Sequence, residues 1–200
     1  MIRVFPVAVC SLLILSGLTT AQGGQKHEGF WIGFGLGVDM SLMEQSDDDP
    51  LIGSSGYLCL GGTLNQRVKL GAEAFGWVKE QHDNVITHGN VMFVAMLFPR
   101  DDSGVFLKGG IGIAGVTRAV VGGTASEIRP AGGLGTAAGL GFDVRLGRQL
   151  SLTPNINWVF QLIEAEDDSL YTNSTFVFTL GLMWNRATRE RQQTPLTDPR

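Results

Sequence analysis

Charge is scarce in this sequence. Asp, Glu, Lys and Arg make up 17% of 200 residues and sum to −4, with a pI near 5.3, whereas an average soluble domain carries about a quarter of charged residues. Without a basic excess, a general nucleic-acid binder is excluded, because phosphate contacts need clustered Lys and Arg. Cysteine is nearly absent, at Cys10 and Cys59 alone. With 7 prolines and no tandem repeat, collagen-like and low-complexity architectures are excluded too. After residue 21 no stretch approaches 18 consecutive apolar residues, so no membrane-spanning helix is available there. Glycine, by contrast, is abundant at 28 residues, about twice the usual share. The mean hydropathy is slightly positive at +0.13. The length supports one domain with short appendages.

The N-terminus reads as an export address. Arg3 is the only charge before Lys26, Val4 to Leu18 is mainly apolar, and Thr19-Thr20-Ala21 places small residues at −3 and −1. This layout predicts a signal peptide over 1–21, cleaved after Ala21. A retained anchor fits less well, because Pro6, Ser11, Ser16 and Gly17 interrupt a barely sufficient span. A lipoprotein signal at Cys10 is disfavoured by Val9 and the short apolar stretch before it. Cleavage leaves Cys59 alone, which excludes an intramolecular disulfide and suits a small hydrophobe in an apolar strand.

The mature chain alternates with period two. In Arg67 to Lys79, Val68, Leu70, Ala72, Ala74, Gly76 and Val78 share one face, and Arg67, Lys69, Gly71, Glu73, Phe75, Trp77 and Lys79 share the other. Phe30–Leu42, 134–146, Leu150–Leu162 and 176–184 split the same way, with weaker runs at Tyr57–Leu64, Val85–Phe98 and Val105–Thr117. The sum is eight strands. One face carries Phe, Leu, Ile and Trp continuously; the other is mostly Gly, Ala, Ser, Thr and Asn with a few charges. Eight strands enclose only enough room for side chains. Volume therefore assigns the small face to the lumen and the bulky face to lipid. A lipocalin-like soluble barrel, with the faces inverted, is the alternative. The connections support up-and-down order: short at Asn65-Gln66, 99–104 and 147–149, longer at 43–56, 118–130 and 163–171, except that the third connection, the outer one at 80–84, is brief.

Few motifs carry chemistry. Gly110-Ile111-Gly112-Ile113-Ala114-Gly115 matches a dinucleotide fingerprint, but the β-like and then turn-like stretch from Val116 to Gly123 replaces the required helix. Glu44 with Asp47-Asp48-Asp49, and Glu164 with Glu166, Asp167 and Asp168, make the outer loops acidic without EF-hand spacing. His27, His82 and His88 lack metal-ligand spacing; His88 shares the inward face with Asn90 near the outer rim. By strand parity Lys69, Glu73, Lys108, Asp143 and Arg145 point into the lumen. Buried charges persist only when paired, so these five form the expected structural network, with Glu73 against Lys108 or Arg145. Phe30 and Trp184 are expected at the periplasmic membrane boundary, and Tyr171 and Trp77 at the outer one. The sequence implies no cofactor, no metal site, no nucleic-acid partner and no catalytic residue.

Glycine-laced strands such as Leu107-Lys108-Gly109-Gly110-Ile111-Gly112-Ile113 and Ala138-Gly139-Leu140-Gly141-Phe142-Asp143-Val144 resemble the small outer-membrane β-barrels, the OmpA/OmpX-like and opacity-type transmembrane domains. The terminal strand Thr179-Leu180-Gly181-Leu182-Met183-Trp184 is similar to the assembly signal of that class. The resemblance covers about Phe30 to Asn185 and implies an all-β, eight-stranded, closed antiparallel up-and-down transmembrane barrel over 29–185. It also implies residence in a bacterial outer membrane, contact with its lipids and lipopolysaccharide, and handling by barrel-assembly machinery. Such barrels usually end on the aromatic residue. Here a polar tail of 186–200 follows, reads as a disordered stub, and is too short for a peptidoglycan-binding domain. Lipid A deacylases of similar size resemble this scaffold and have a His-x-Ser pattern, whereas this chain has His88-Gly89-Asn90, without the serine. The resulting expectation is a non-enzymatic structural or surface-contact protein with a plugged lumen, a small pore being the alternative.

Overall fold

The structure, a computed structural model, describes residues 29–42, 51–81, 84–100, 103–120, 129–164 and 170–186. The expected signal peptide, most of the acidic outer-loop residues, His27, His82 and the tail beyond 186 lie outside the described residues. Every regular element within them is a strand: β1 Phe30–Leu42, β2 Leu51–Asn65, β3 Val68–Gln81, β4 Asn84–Leu97, β5 Val105–Val120, β6 Arg129–Phe142, β7 Leu150–Glu164 and β8 Leu170–Asn185. A two-residue continuation of β6, Val144–Arg145, resumes the pairing with β7 after Asp143.

Each strand pairs antiparallel with its sequence neighbour, and β8 pairs with β1, so the sheet has no free edge. The register fixes the geometry. Paired positions run from Pro154 through Leu180, Leu36, Gly56, Gly76, Gly89, Gly115 and Gly132 to Glu164, ten residues further along β7. That shear on eight strands corresponds to a tilt of roughly 43°.

Local chemistry closes the lower end. Gln66 and Arg67 form a two-residue turn in which Arg67 N donates to Asn65 Oδ1 at 2.8 Å, the side-chain turn that Asn favours. Gly29 enters β1 with a φ of 78°, a left-handed backbone that costs glycine little, and its carbonyl accepts from Thr63 N.

The alternation sorts residues as volume requires. Phe34 is 57% exposed on the outer wall, and Leu140 and Phe178 48% each; Gly35, Gly141 and Gly181 are buried. The lumen is not lined by small residues alone, however. Trp31, Tyr57, Phe75, Trp77, Phe98 and Phe106 all project inward and are buried. Glycines provide their seats. A Cβ at Gly61 or Gly71, which pair across β2 and β3, would lie 2.6 or 2.7 Å from Trp31 Cζ2. A Cβ at Gly35 would strike the Tyr57 ring, one at Gly181 the Tyr57 hydroxyl, and one at Gly141 the Phe106 ring.

Three expectations need correcting. Trp77 does not sit at the outer membrane boundary; it is buried in the lumen, stacked on His88 with centroids 4.8 Å apart and planes 4° from parallel. Its parity with Lys69 and Glu73 already placed it inside. The strands also reach further outward than their apolar runs. β2 begins at Leu51, not near Tyr57, and β6 at Arg129, not Leu134. Gly53, Ser54, Ser55, Gly132 and Gly133 carry little hydrophobic signal, yet the ladder continues through them because their partners in β1, β5 and β7 extend equally far. The outer connections are correspondingly shorter.

Candidate functional site

The lumen holds the charged residues, and β3 sets their heights. Lys69 lies near the Gln66–Arg67 turn, Glu73 about midway, and Lys79 near the opposite end. Each meets an opposite charge from another strand.

At the end with the Gln66–Arg67 turn Lys69, fully buried, has Nζ 3.4 Å from Asp143 Oδ2 and donates to Asn185 Oδ1 at 3.1 Å. The ammonium also sits 5.1 Å from the Phe98 ring centroid, a cation–π contact. Arg145, half-buried, adds a second positive charge acting on Asp143. At mid-height Lys108 Nζ donates to both Glu73 oxygens, at 2.9 and 3.0 Å, and stands 5.6 Å from the Tyr57 ring centroid. Tyr57 reaches across β1 and β8 to Thr153 Oγ1 at 3.3 Å. The five charges assigned to the lumen by parity thus fall into two groups, Glu73 with Lys108 and Lys69 with Asp143 and Arg145.

Toward the outer end lies a third ion pair that the sequence reading did not include, Lys79 Nζ 3.1 Å from Asp39 Oδ2. Both residues stood on inward faces by alternation. Nothing local linked them, because they meet only across β2, opposite Gly53, where a Cβ would touch both. Beside them runs an amide network. Ser41 Oγ donates to Asn173 Oδ1 (3.0 Å), Asn173 Nδ2 to Gln161 Oε1 (3.0 Å) and Gln161 Nε2 to Asn90 Oδ1 (3.1 Å). His88 Nδ1 lies 3.1 Å from Gln161 Oε1 and 3.4 Å from Asn173 Nδ2. This imidazole is committed to amides and to the Trp77 face.

Between these polar groups the aromatic rings, with Met92, Val94, Met96 and Met183, form one buried apolar cluster. Cys59 belongs to it, its thiol directed to Gly33 O at 3.5 Å. The site is therefore an interior of buried ion pairs and rings. Among the described residues no group of three or more His, Cys, Asp or Glu could hold a metal ion. The glycine motif at 110–115 lies inside β5, which continues as strand to Val120; it offers no helix N-terminus for a pyrophosphate.

Two tryptophans lie on the outer wall, with Phe160 and Leu170 continuing the apolar surface beyond Trp158. Trp184 Nε1 donates to Gln149 Oε1 at 3.2 Å near the short turns, and Trp158 Nε1 to Ser174 Oγ at 2.7 Å in the opposite half. From Trp184 to Ser174 along β8 the vertical rise is about 24 Å, at ~3.3 Å per residue and the tilt above, close to the apolar band of outer-membrane barrels. The Tyr171 side chain, the other residue assigned to the outer boundary, lies outside the described residues.

No protein-family model matches this sequence, and no curated protein matches it. Solved structures do. Neisserial surface protein A (NspA) superposes with a TM-score of 0.58 at 11% identity, covering 79% of this chain and 97% of that one. Ail, the attachment invasion locus protein of Yersinia pestis, superposes with a TM-score of 0.55 at 16% identity, covering 80% and 99%. A second Ail structure, in complex with the heparin analogue sucrose octasulfate, gives 0.53 at 15% identity with the same coverage. These are small eight-stranded outer-membrane β-barrels, and this chain has their fold.

Proposed function

We propose that this chain is an integral protein of a bacterial outer membrane, exported on a signal peptide cleaved after Ala21. Its role is structural or one of surface contact, adhesion-like, through the outer loops, and its lumen is closed by its own side chains. One observation carries the reading: a belt of large apolar residues, Phe34, Leu60, Phe93, Ile111, Leu140 and Phe178 among them, is exposed on the outer wall all round a closed barrel. Water would meet a continuous belt far larger than the few hundred Å² that soluble monomers expose. Each Leu or Phe in it gains about 1.5–3 kcal/mol on leaving water. Lipid is the medium that such a wall fits, and a closed sheet is the form a bilayer allows.

The lumen supports a non-conducting role. Each buried charge faces an opposite one, and the glycine-seated rings fill the cross-section between them. Lys69, Glu73, Lys108, Asp143 and Arg145 act as a structural network in this reading, joined by Asp39 and Lys79. Lipopolysaccharide and phospholipid cover the belt, and barrel-assembly machinery receives the terminal strand. Surface contact falls to loops whose sequences are acidic, at Glu44, Asp47, Asp48, Asp49, Glu164, Glu166, Asp167 and Asp168. They suit a cationic partner, or an anionic one bridged by divalent cations. The polyanion carried by the Ail complex would meet repulsion here without such a bridge.

Fractionation tests the reading. The expressed protein should pellet with outer membranes, migrate differently before and after boiling, and give no steady current in planar bilayers. Recovery in the soluble periplasm would overturn the assignment. Stable single-channel steps would favour the small-pore reading instead.

A further inference from the structure

We propose that the periplasmic rim carries a seat for the phosphate of an anionic phospholipid, built from Arg148 and Arg186 beside Trp184. The proposal rests on the membrane reading above and adds a lipid class and a place.

Asn185 N donates to Gln149 O at 2.7 Å, and Arg186 N to Phe30 O at 2.8 Å. Arg148 and Arg186 therefore flank one backbone bond on adjacent segments, and both are exposed. Arg186 continues the outward alternation of Leu182 and Trp184. The Trp184 indole is tied to the same turn through Gln149 Oε1, so an aromatic boundary marker and two exposed arginines start from adjacent backbone at one corner of the barrel wall. Like charges on adjacent backbone segments repel. A phosphate between them removes that cost, and guanidinium forks match phosphate oxygens. The opposite side of the rim differs. Arg67 and Arg100 follow the inward parity of Lys69 and Phe98, and Arg100 is followed in sequence by Asp101 and Asp102. Charge alone does not single out Arg148 and Arg186; their outward position beneath the belt does.

The test uses the full mature chain refolded into vesicles, with Trp158→Phe leaving Trp184 as the lipid-facing indole, since Trp31 and Trp77 are buried in the lumen. Brominated phosphatidylglycerol and brominated phosphatidylcholine are compared as quenchers of Trp184, which gives a relative binding constant. The anionic lipid should be preferred. Arg148→Gln and Arg186→Gln should each lower the preference, by up to about fivefold per arginine, and the double variant should bring it toward one. Arg67→Gln/Arg100→Gln should leave it unchanged. A ratio of one in the chain with both arginines, or an equal fall with the Arg67/Arg100 pair, would overturn the proposal while Trp184 quenching still supports the barrel. A Trp184 quenched by neither lipid would instead remove the membrane reading itself.

Discussion

Lys108→Met separates a load shared by two charges from a contact that merely exists. Glu73 and Lys108 are 2% and 7% exposed, and both carboxylate oxygens accept from the ammonium. Removing Lys108 leaves a carboxylate in the barrel interior without its counter-charge, the situation in which breaking a buried pair costs about 3–5 kcal/mol. Even the lower figure changes the folded-to-unfolded ratio by more than about a hundredfold. Glu73→Gln/Lys108→Met removes both charges. Because a buried pair replaced as a unit is often near neutral, the double variant should recover most of the loss. The assay is a urea titration of chain refolded in zwitterionic vesicles, where unfolding and refolding curves coincide, scored by the unboiled gel band. A Lys108→Met loss under about 0.5 kcal/mol would refute the reasoning, and so would a double variant as damaged as the single one.

Two further outcomes follow from the packing. Gly35→Val places a branched side chain where the Tyr57 ring lies; overpacking of this kind costs about 1–3 kcal/mol, and Gly62→Val, at a position with open space, should cost far less in the same titration. Cys59 is buried with its thiol on Gly33 O; a water-soluble maleimide should label it in urea and leave it unlabelled in the refolded barrel, and rapid labelling of the folded form would contradict the filled lumen.

Much of this architecture was legible because period two is a strong signal when one face meets lipid. Phe34 and Leu140 each sit between two glycines and Phe178 between Val177 and Thr179, and an eight-stranded perimeter leaves one sensible inside. The same parity placed Lys69, Glu73, Lys108, Asp143 and Arg145 together, but it carries no information on register. Glu73 therefore stood equally open to Lys108 and Arg145 until the ladders aligned Glu73 with Met92 and Met96 with Lys108. Asp39 and Lys79 escaped for a related reason: their contact spans an intervening strand at a glycine, a relation with no local mark. Trp77 was misplaced by residue type, since tryptophan favours membrane boundaries, although its own alternation pointed inward. The outermost turns of β2 and β6 were unreadable from hydropathy because Gly and Ser contribute no alternation while still supplying backbone donors and acceptors.

The central claim concerns which side of the wall the bulky residues occupy, and spin labels address it directly. Cysteines introduced one at a time as Phe34→Cys, Leu140→Cys and Phe178→Cys, in a Cys59→Ser background, would be labelled and the chain refolded into vesicles. Collisions with oxygen, which concentrates in the bilayer, should be frequent at all three, and collisions with a water-soluble nickel chelate rare. Labels that meet the nickel chelate freely, or that are shielded from both, would mean that these side chains do not face lipid, and the account would be wrong.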